Sequence, residues 1–325
     1  MAERKNYVYG PVPSRRLGRS LGVDIVPFKV CSLDCVYCQL GRTLEKTVER
    51  RDFAPIELVL AELRQVLAEH VEADYISLAG SGEPTLHSRL GELIEGVKKV
   101  TDIPVAVLTN GTLFYLPDVR ADCAKADVVM PSLDAADEET FRRINCPCPG
   151  INVEKVISGL CAFRDEFAGQ IWLEVFFVEH INTGLDQVAT IKDAIERIRP
   201  DKVHLNTAVR PTADPSVRRV DTETLQRIAA RLGPRCEVVA DPAPVHHEAL
   251  ADKETPSDAR ACPPAGSVSQ TLLSMLKRRP CSLSDIRASL GLSRSDAMKH
   301  ISNLHDQGLI QSEKKGASTF YKASP

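Results

Sequence analysis

Cys31, Cys35 and Cys38 stand in the run Cys31-Ser-Leu-Asp-Cys35-Val-Tyr-Cys38. Three thiols within eight residues serve poorly as packing groups, but as thiolates they can hold three corners of a cubane iron–sulfur cluster on one loop. The fourth iron then lacks a nearby protein ligand, because the next cysteine is Cys123 and the first histidine is His70. An open iron suits chemistry on a small molecule better than electron storage. Two other uses compete. A structural zinc needs a closed shell of four ligands, and nothing nearby supplies the fourth. A disulfide needs an even number of cysteines and an oxidising compartment.

The three-cysteine run, with aromatic Tyr37 just before the last cysteine, resembles the radical S-adenosylmethionine (SAM) superfamily. The flanking text, Tyr9-Gly-Pro-Val-Pro-Ser-Arg-Arg-Leu-Gly18 and Gln39-Leu-Gly-Arg-Thr43, is similar to its wyosine-synthase-like branch, and the resemblance spans about residues 7–240. It implies one [4Fe–4S] cluster on Cys31, Cys35 and Cys38, SAM on the open iron, and reductive cleavage to a 5′-deoxyadenosyl radical. A flavodoxin or ferredoxin is the implied electron donor. Wyosine synthases use further cysteines ahead of this loop, and none precedes Cys31 here, so tricyclic base synthesis does not follow. Cys146 and Cys148, in Cys146-Pro-Cys148-Pro, could join Cys262 around an auxiliary cluster, but lone cysteines are usually small buried hydrophobes. Lys29 could form a Schiff base with a keto acid, or act as a charge partner of the cluster loop.

The elements that must carry this loop alternate in type. Strand-like runs fall at 21–26, 74–79, 104–109, 127–132, 171–178 and 202–206. Helical patterns fall at 55–70, 89–100, 138–144, 153–164 and 185–198. In 55–70, Leu58, Leu63, Val66 and Leu67 are expected on one apolar face. Strand–helix repetition at this spacing predicts an α/β fold with a parallel sheet; six units resemble the partial (β/α)6 barrel of radical SAM enzymes. Functional groups in such barrels gather at the carboxyl ends of the strands, and polar signatures stand at five of those six ends. Gly80, Ser81, Gly82 and Glu83 follow the second strand, where small residues let the backbone approach a ligand. The resemblance implies that this turn grips the methionine amino group of SAM, and that Tyr37 also lines the cofactor. Ser132 and Asp134 follow the fourth strand and are expected to bond the ribose hydroxyls. Asn110, in an Asn-Gly turn, is expected to form a polar wall near SAM. Glu174, in the apolar run 171–177, must be paired or functional if it faces inward; its alternation matches Trp172 and Phe176. Asn206 is expected to close the mouth.

At 325 residues with 43% hydrophobic and 26% charged content, the chain has room for a large domain and a small one. No apolar run could span a bilayer. The basic N-terminus lacks the hydrophobic segment of a signal peptide, so a cytoplasmic protein with reduced thiols is expected. Charge is unevenly shared: residues 268–325 carry a net +5, the remainder −8. Residues 1–240 read as the barrel. Residues 241–267, with five prolines and the pair His246-His247, read as a linker. Residues 268–325 read as three helices and a hairpin, similar to the winged helix–turn–helix of small bacterial regulators. If that module meets nucleic acid, Arg294, Ser295, Lys299 and Asn303 would enter a groove, with Lys314 and Lys315 on phosphates; a protein or peptide partner is the other use. Two functions follow: an enzyme acting on a small molecule or a presented macromolecule such as tRNA or a peptide, or a DNA-binding regulator that senses the cluster or SAM.

Overall fold

A computed structural model describes residues 7–239, 265–315 and 318–324. Cys262, His246 and His247 lie outside the described residues. The chain runs β1 (Val8–Ser14), β2 (Gly18–Val23), β3 (Val30–Cys31), β4 (Glu45–Lys46), α1 (Ile56–Ala68), β5 (Tyr75–Leu78) and α2 (Leu90–Lys98). It continues through β6 (Val105–Thr109), α3 (Pro117–Cys123), β7 (Val128–Pro131), α4 (Glu138–Asn145), α5 (Val153–Glu166), β8 (Gln170–Phe177) and α6 (Leu185–Ile198). Then come β9 (Lys202–Thr207), α7 (Thr222–Leu232) and β10 (Cys236–Val238).

The main sheet has the order β1-β2-β5-β6-β7-β8-β9-β10. All its pairings are parallel except β1 with β2. The six expected strands are present, and β1 and β10 extend the sheet at its two ends. The sheet remains open between those ends, a partial barrel. Strand alternation sorts its side chains. Ile171, Leu173, Val175 and Phe177 of β8 join the large core beneath the helices, while Trp172 packs with Leu17, Ala106, Val128 and Met130 on the inner face. Glu174, in phase with Trp172 and Phe176, therefore faces the lumen. In α1 the buried residues are Ile56, Val59 and Leu63, whereas Leu58 is 58% exposed. The apolar stripe is thus rotated from the expected one, because Ile56 and Val59 anchor the first turn. Each fully buried aliphatic side chain in this core is worth about 1.5–3 kcal/mol.

The C-terminal part comprises α8 (Ala265–Arg278), β11 (Cys281–Ser282), α9 (Leu283–Leu290), α10 (Arg294–Asp306), β12 (Ile310–Lys315) and β13 (Ser318–Ala323), with sheet order β11-β13-β12. Ser282 and Asp285 form a reciprocal capping box on α9, Gly291 ends it in a left-handed turn (φ 63°), and Ser293 caps α10. This small core, built on Leu272, Met275 and Ile301, also takes in Val12 of β1. The winged helix is therefore packed on the edge strand of the barrel.

Candidate functional site

The cysteine loop leaves β3 at the barrel mouth, and backbone bonds fasten it to the turn after β5. Lys29 N donates to Ser81 O at 2.8 Å and Glu83 N to Val30 O at 3.0 Å. Each cysteine sulfur meets a side-chain N–H donor. Asn110 Nδ2 lies 3.4 Å from Cys31 Sγ, Asn145 Nδ2 3.4 Å from Cys35 Sγ, and Lys29 Nζ 3.1 Å from Cys38 Sγ. Such donors stabilise negative charge on sulfur. Burial pushes the Cys31 thiol up to about 12, and lifts Cys35 as well, so iron must displace their protons on binding. Among the described residues no three His, Cys, Asp or Glu side chains are gathered so as to hold a single metal ion. Lys29 acts as the charge partner in this arrangement.

The Gly80–Glu83 turn is shaped first by the protein. A Cβ on Gly80 would collide with the Asp24 carboxyl, and one on Gly82 would lie 2.5 Å from Val30 O. Glycine is needed for this packing, in addition to any ligand approach. Asp24 also accepts from Ser81 N at 3.2 Å and Ser81 Oγ at 2.6 Å. Glu83 is buried, with Oε1 accepting from Thr85 N, Thr85 Oγ1 and Thr109 Oγ1, and Oε2 from Asn110 N at 2.7 Å. Burial raises its pKa against these bonds. Oε2, with one partner, keeps the acceptor capacity that a bound amino group could use.

Asp134, expected to bond the ribose, is already bonded within the protein. Its Oδ2 accepts from Tyr37 Oη at 2.5 Å and Asn145 Nδ2 at 2.6 Å, and its Oδ1 from Phe176 N at 2.9 Å. The side chain is buried and engaged on both oxygens. Tyr37 is likewise held, its ring stacked on Phe176 with centroids 3.9 Å apart. Ser132 is half-buried at the end of β7 and remains the polar side chain of that pair available to a ligand. Asn110 faces the cysteine loop: besides Cys31, it bonds Ser32 Oγ at 2.9 Å and accepts from Thr112. It therefore braces the cysteine loop.

Glu174 is paired with Arg16, which enters the lumen from the β1–β2 turn, and Asn206 Nδ2 lies 3.4 Å from Glu174 Oε1. Burial and the neighbouring Arg15 and Arg210 lower the Arg16 pKa to about 10. Cys148 is buried in the main core, while Cys146 caps α4 in a left-handed turn. Their backbones brace the cysteine loop through Asp34 N to Cys146 O and Cys148 N to Ser32 O. On the winged helix, Arg294, Ser295, Lys299, Asn303 and Lys314 are exposed, although Lys299 pairs with Asp296 at 3.2 Å. Lys315 departs from expectation: its Nζ donates to Arg210 O of the barrel at 2.7 Å, which removes it from any phosphate-facing set.

Asn145, Arg16 and Asp24 escaped the sequence reading. Asn145 sits directly before the conspicuous Cys146-Pro-Cys148, which was the available signal. Asp24 could have been found as an acid at the mouth end of an apolar strand.

This geometry agrees with the comparisons. The profile of the Radical SAM superfamily matches residues 25–184, and that of the bacterial regulatory protein arsR family matches residues 271–312. The fold is similar to Streptococcus suis SuiB bound to S-adenosylmethionine (TM-score 0.51, 17% identity, 68% of this chain and 50% of that one). It is also similar to a radical SAM methyltransferase from Sphaerobacter thermophilus (TM-score 0.50, 16% identity, 67% of this chain and 65% of that one). Profile, fold and cysteine loop together place residues 25–184 in the Radical SAM superfamily, whose cofactors are a [4Fe–4S] cluster and SAM; three donor-backed thiols at the barrel mouth fit that pair.

Among full-length relatives, the UPF0026 protein of Helicobacter pylori strain 26695 is 30% identical over 325 residues, 99% of both chains. The UPF0026 protein MJ1312 of Methanocaldococcus jannaschii is 36% identical over 224 residues, 68% of this chain and 70% of that one. The chain belongs to the UPF0026 family. It also aligns at 34% identity over 306 residues, 94% of its length, with the GTPase Obg of Brachyspira hyodysenteriae, and spans only 43% of that protein.

Proposed function

We propose that the protein reductively cleaves SAM and uses the product radical on a substrate brought to the barrel mouth. The observation that carries this reading is the set of three cysteine sulfurs, each with its own N–H donor, beside the Gly80–Glu83 turn. When bound, the reduced cluster supplies the electron that splits a carbon–sulfur bond of SAM, giving methionine and a 5′-deoxyadenosyl radical able to take hydrogen from carbon.

The chain's own residues have distinct tasks. Cys31, Cys35 and Cys38 would hold the cluster, while Lys29, Asn110 and Asn145 steady their sulfurs. The Gly80–Glu83 turn receives the methionine end through backbone oxygens and Glu83 Oε2, and Ser132 receives the ribose. Tyr37 and Phe176 wall the mouth and exclude water. Arg16, Glu174 and Asn206 form a polar floor in the lumen that orients the substrate. A flavodoxin or ferredoxin delivers the electron, and the cytoplasm is the compartment that suits reduced thiols; no described helix is long and apolar enough to cross a membrane.

The exposed face of α10, with Arg294, Ser295, Lys299 and Asn303 next to Lys314 on the wing, supports a macromolecular substrate such as tRNA or a peptide. The test is production of 5′-deoxyadenosine by anaerobically reconstituted, reduced protein, with deuterium transfer from labelled candidate substrates. Loss of the product in Cys35→Ala is expected, and an electron paramagnetic resonance spectrum unmoved by SAM overturns the reading.

The arsR-family match to residues 271–312 favours one second reading, a regulator whose DNA affinity follows the state of the cluster or SAM. Tight duplex binding switched by cluster oxidation, with no substrate-dependent turnover, is its signature.

A further inference from the structure

Arg278, the last residue of α8, crosses from the winged helix to the barrel. Its Nε lies 3.1 Å from Asp24 Oδ2, with the two side chains only 11% and 8% exposed. The guanidinium lies over the Tyr9 ring, 4.5 Å from the centroid. Its Nη1 donates to Ser274 O at 3.0 Å and to Ser274 Oγ at 2.5 Å, which fixes its direction from the helix. The carboxylate it meets is the one that shapes the expected SAM turn. Asp24 accepts from both the backbone and the hydroxyl of Ser81 and fills the space beside Gly80. Ser81 O in turn accepts from Lys29 N, within hydrogen-bonding reach of the cysteine loop.

We infer that Arg278 is a positioning residue for the SAM-binding turn, so that the winged helix completes the cofactor site of the barrel. The inference rests on the reading of Gly80–Glu83 given above. A nearly buried carboxylate that loses its cation becomes an uncompensated charge and must turn toward water or find another donor. Asp24 cannot turn without releasing Ser81. Through this path, whatever the winged helix binds can alter the turn that holds SAM.

The experiment compares SAM affinity of the reconstituted full-length protein with that of its Arg278→Ala and Arg278→Lys variants, by equilibrium binding and by the SAM-induced change in the cluster spectrum. Arg278→Ala is expected to weaken SAM binding about tenfold, the scale of one charge-assisted hydrogen bond, with iron content unchanged, and Arg278→Lys to recover part of it. Lys315→Ala, which removes a different contact across the same junction, is expected to leave SAM affinity unaltered. In an Asp24→Asn background the Arg278→Ala change should add little, because the two act through one contact.

Wild-type affinity in Arg278→Ala overturns the inference while leaving SAM chemistry intact. Equal losses in Arg278→Ala and Lys315→Ala also overturn it, since docking alone would then be responsible. Wild-type protein that fails to bind SAM removes the underlying reading as well.

Discussion

Of the three side-chain donors on the cysteine sulfurs, Lys29 differs in being an amine rather than an amide, and it is buried. Reduction adds an electron to the cluster, and a cation on the Cys38 sulfur favours that more negative state. Lys29→Met should therefore lower the midpoint potential, and by more than Asn110→Ala, which removes only a neutral donor. Redox titration followed by electron paramagnetic resonance measures both. Asp134 and Ser132 separate in the same way, stability against ligand contact. Asp134→Ala removes the acceptor shared by the Tyr37 hydroxyl, the Asn145 amide and the Phe176 N–H. The expected loss is on the order of 3 kcal/mol of folding stability in urea. Ser132→Ala should keep the urea midpoint and raise the KM for SAM a few-fold, about the worth of one neutral hydrogen bond. A reversed pattern would return the ribose contact to Asp134.

Among the elements, those with strong periodicity were legible in the sequence. The alternation through 171–177 grouped Glu174 with Trp172 and Phe176 without showing which face is the inner one, and the helical span 185–198 matches α6 at both ends. What escaped was short or lacked contrast. β10 has three residues, and α3 has seven, with only Val119 and Cys123 buried. β1 reads poorly as a strand because Pro11 and Pro13 interrupt its donors. The site divides similarly. The types and spacing of Cys31, Cys35 and Cys38 announced their chemistry, whereas spacing cannot show that Asp134 is bonded to partners 42 and 97 residues away. Gly80 makes the same point. Its smallness was visible, but the atom it makes room for, the Asp24 carboxyl, is not. Gly80→Ala should displace that carboxyl and cost about 1–3 kcal/mol, as overpacking does, with SAM binding falling in parallel. A variant that binds SAM normally would show that the turn yields more easily than its packing implies.

At the scale of the whole molecule, the lumen is closed below by Trp172, Leu17 and Met130 and walled at the mouth by the Tyr37–Phe176 stack. Polar groups between them must be paired or held neutral. His204 of β9 lies against this apolar base, its ring 5.7 Å from Trp172 and edge-on to it. Burial is the main cause that holds its pKa down to about 4, with Arg16 adding to the shift, even though Glu237 lies 2.9 Å from Nε2 and pulls the other way. The sign follows from linkage. A depressed histidine pKa means that the unfolded chain takes up the proton first as pH falls. The folded state thus has its full advantage at pH 7 and loses it between about 6.5 and about 4, with a ceiling of about 3 kcal/mol. Denaturant unfolding at pH 7 and pH 5 should show this erosion in the wild type. His204→Gln, which cannot be protonated, should flatten that part of the dependence while retaining a group able to meet Glu237. A pH slope identical in the two proteins would place the acid sensitivity in the carboxylates instead.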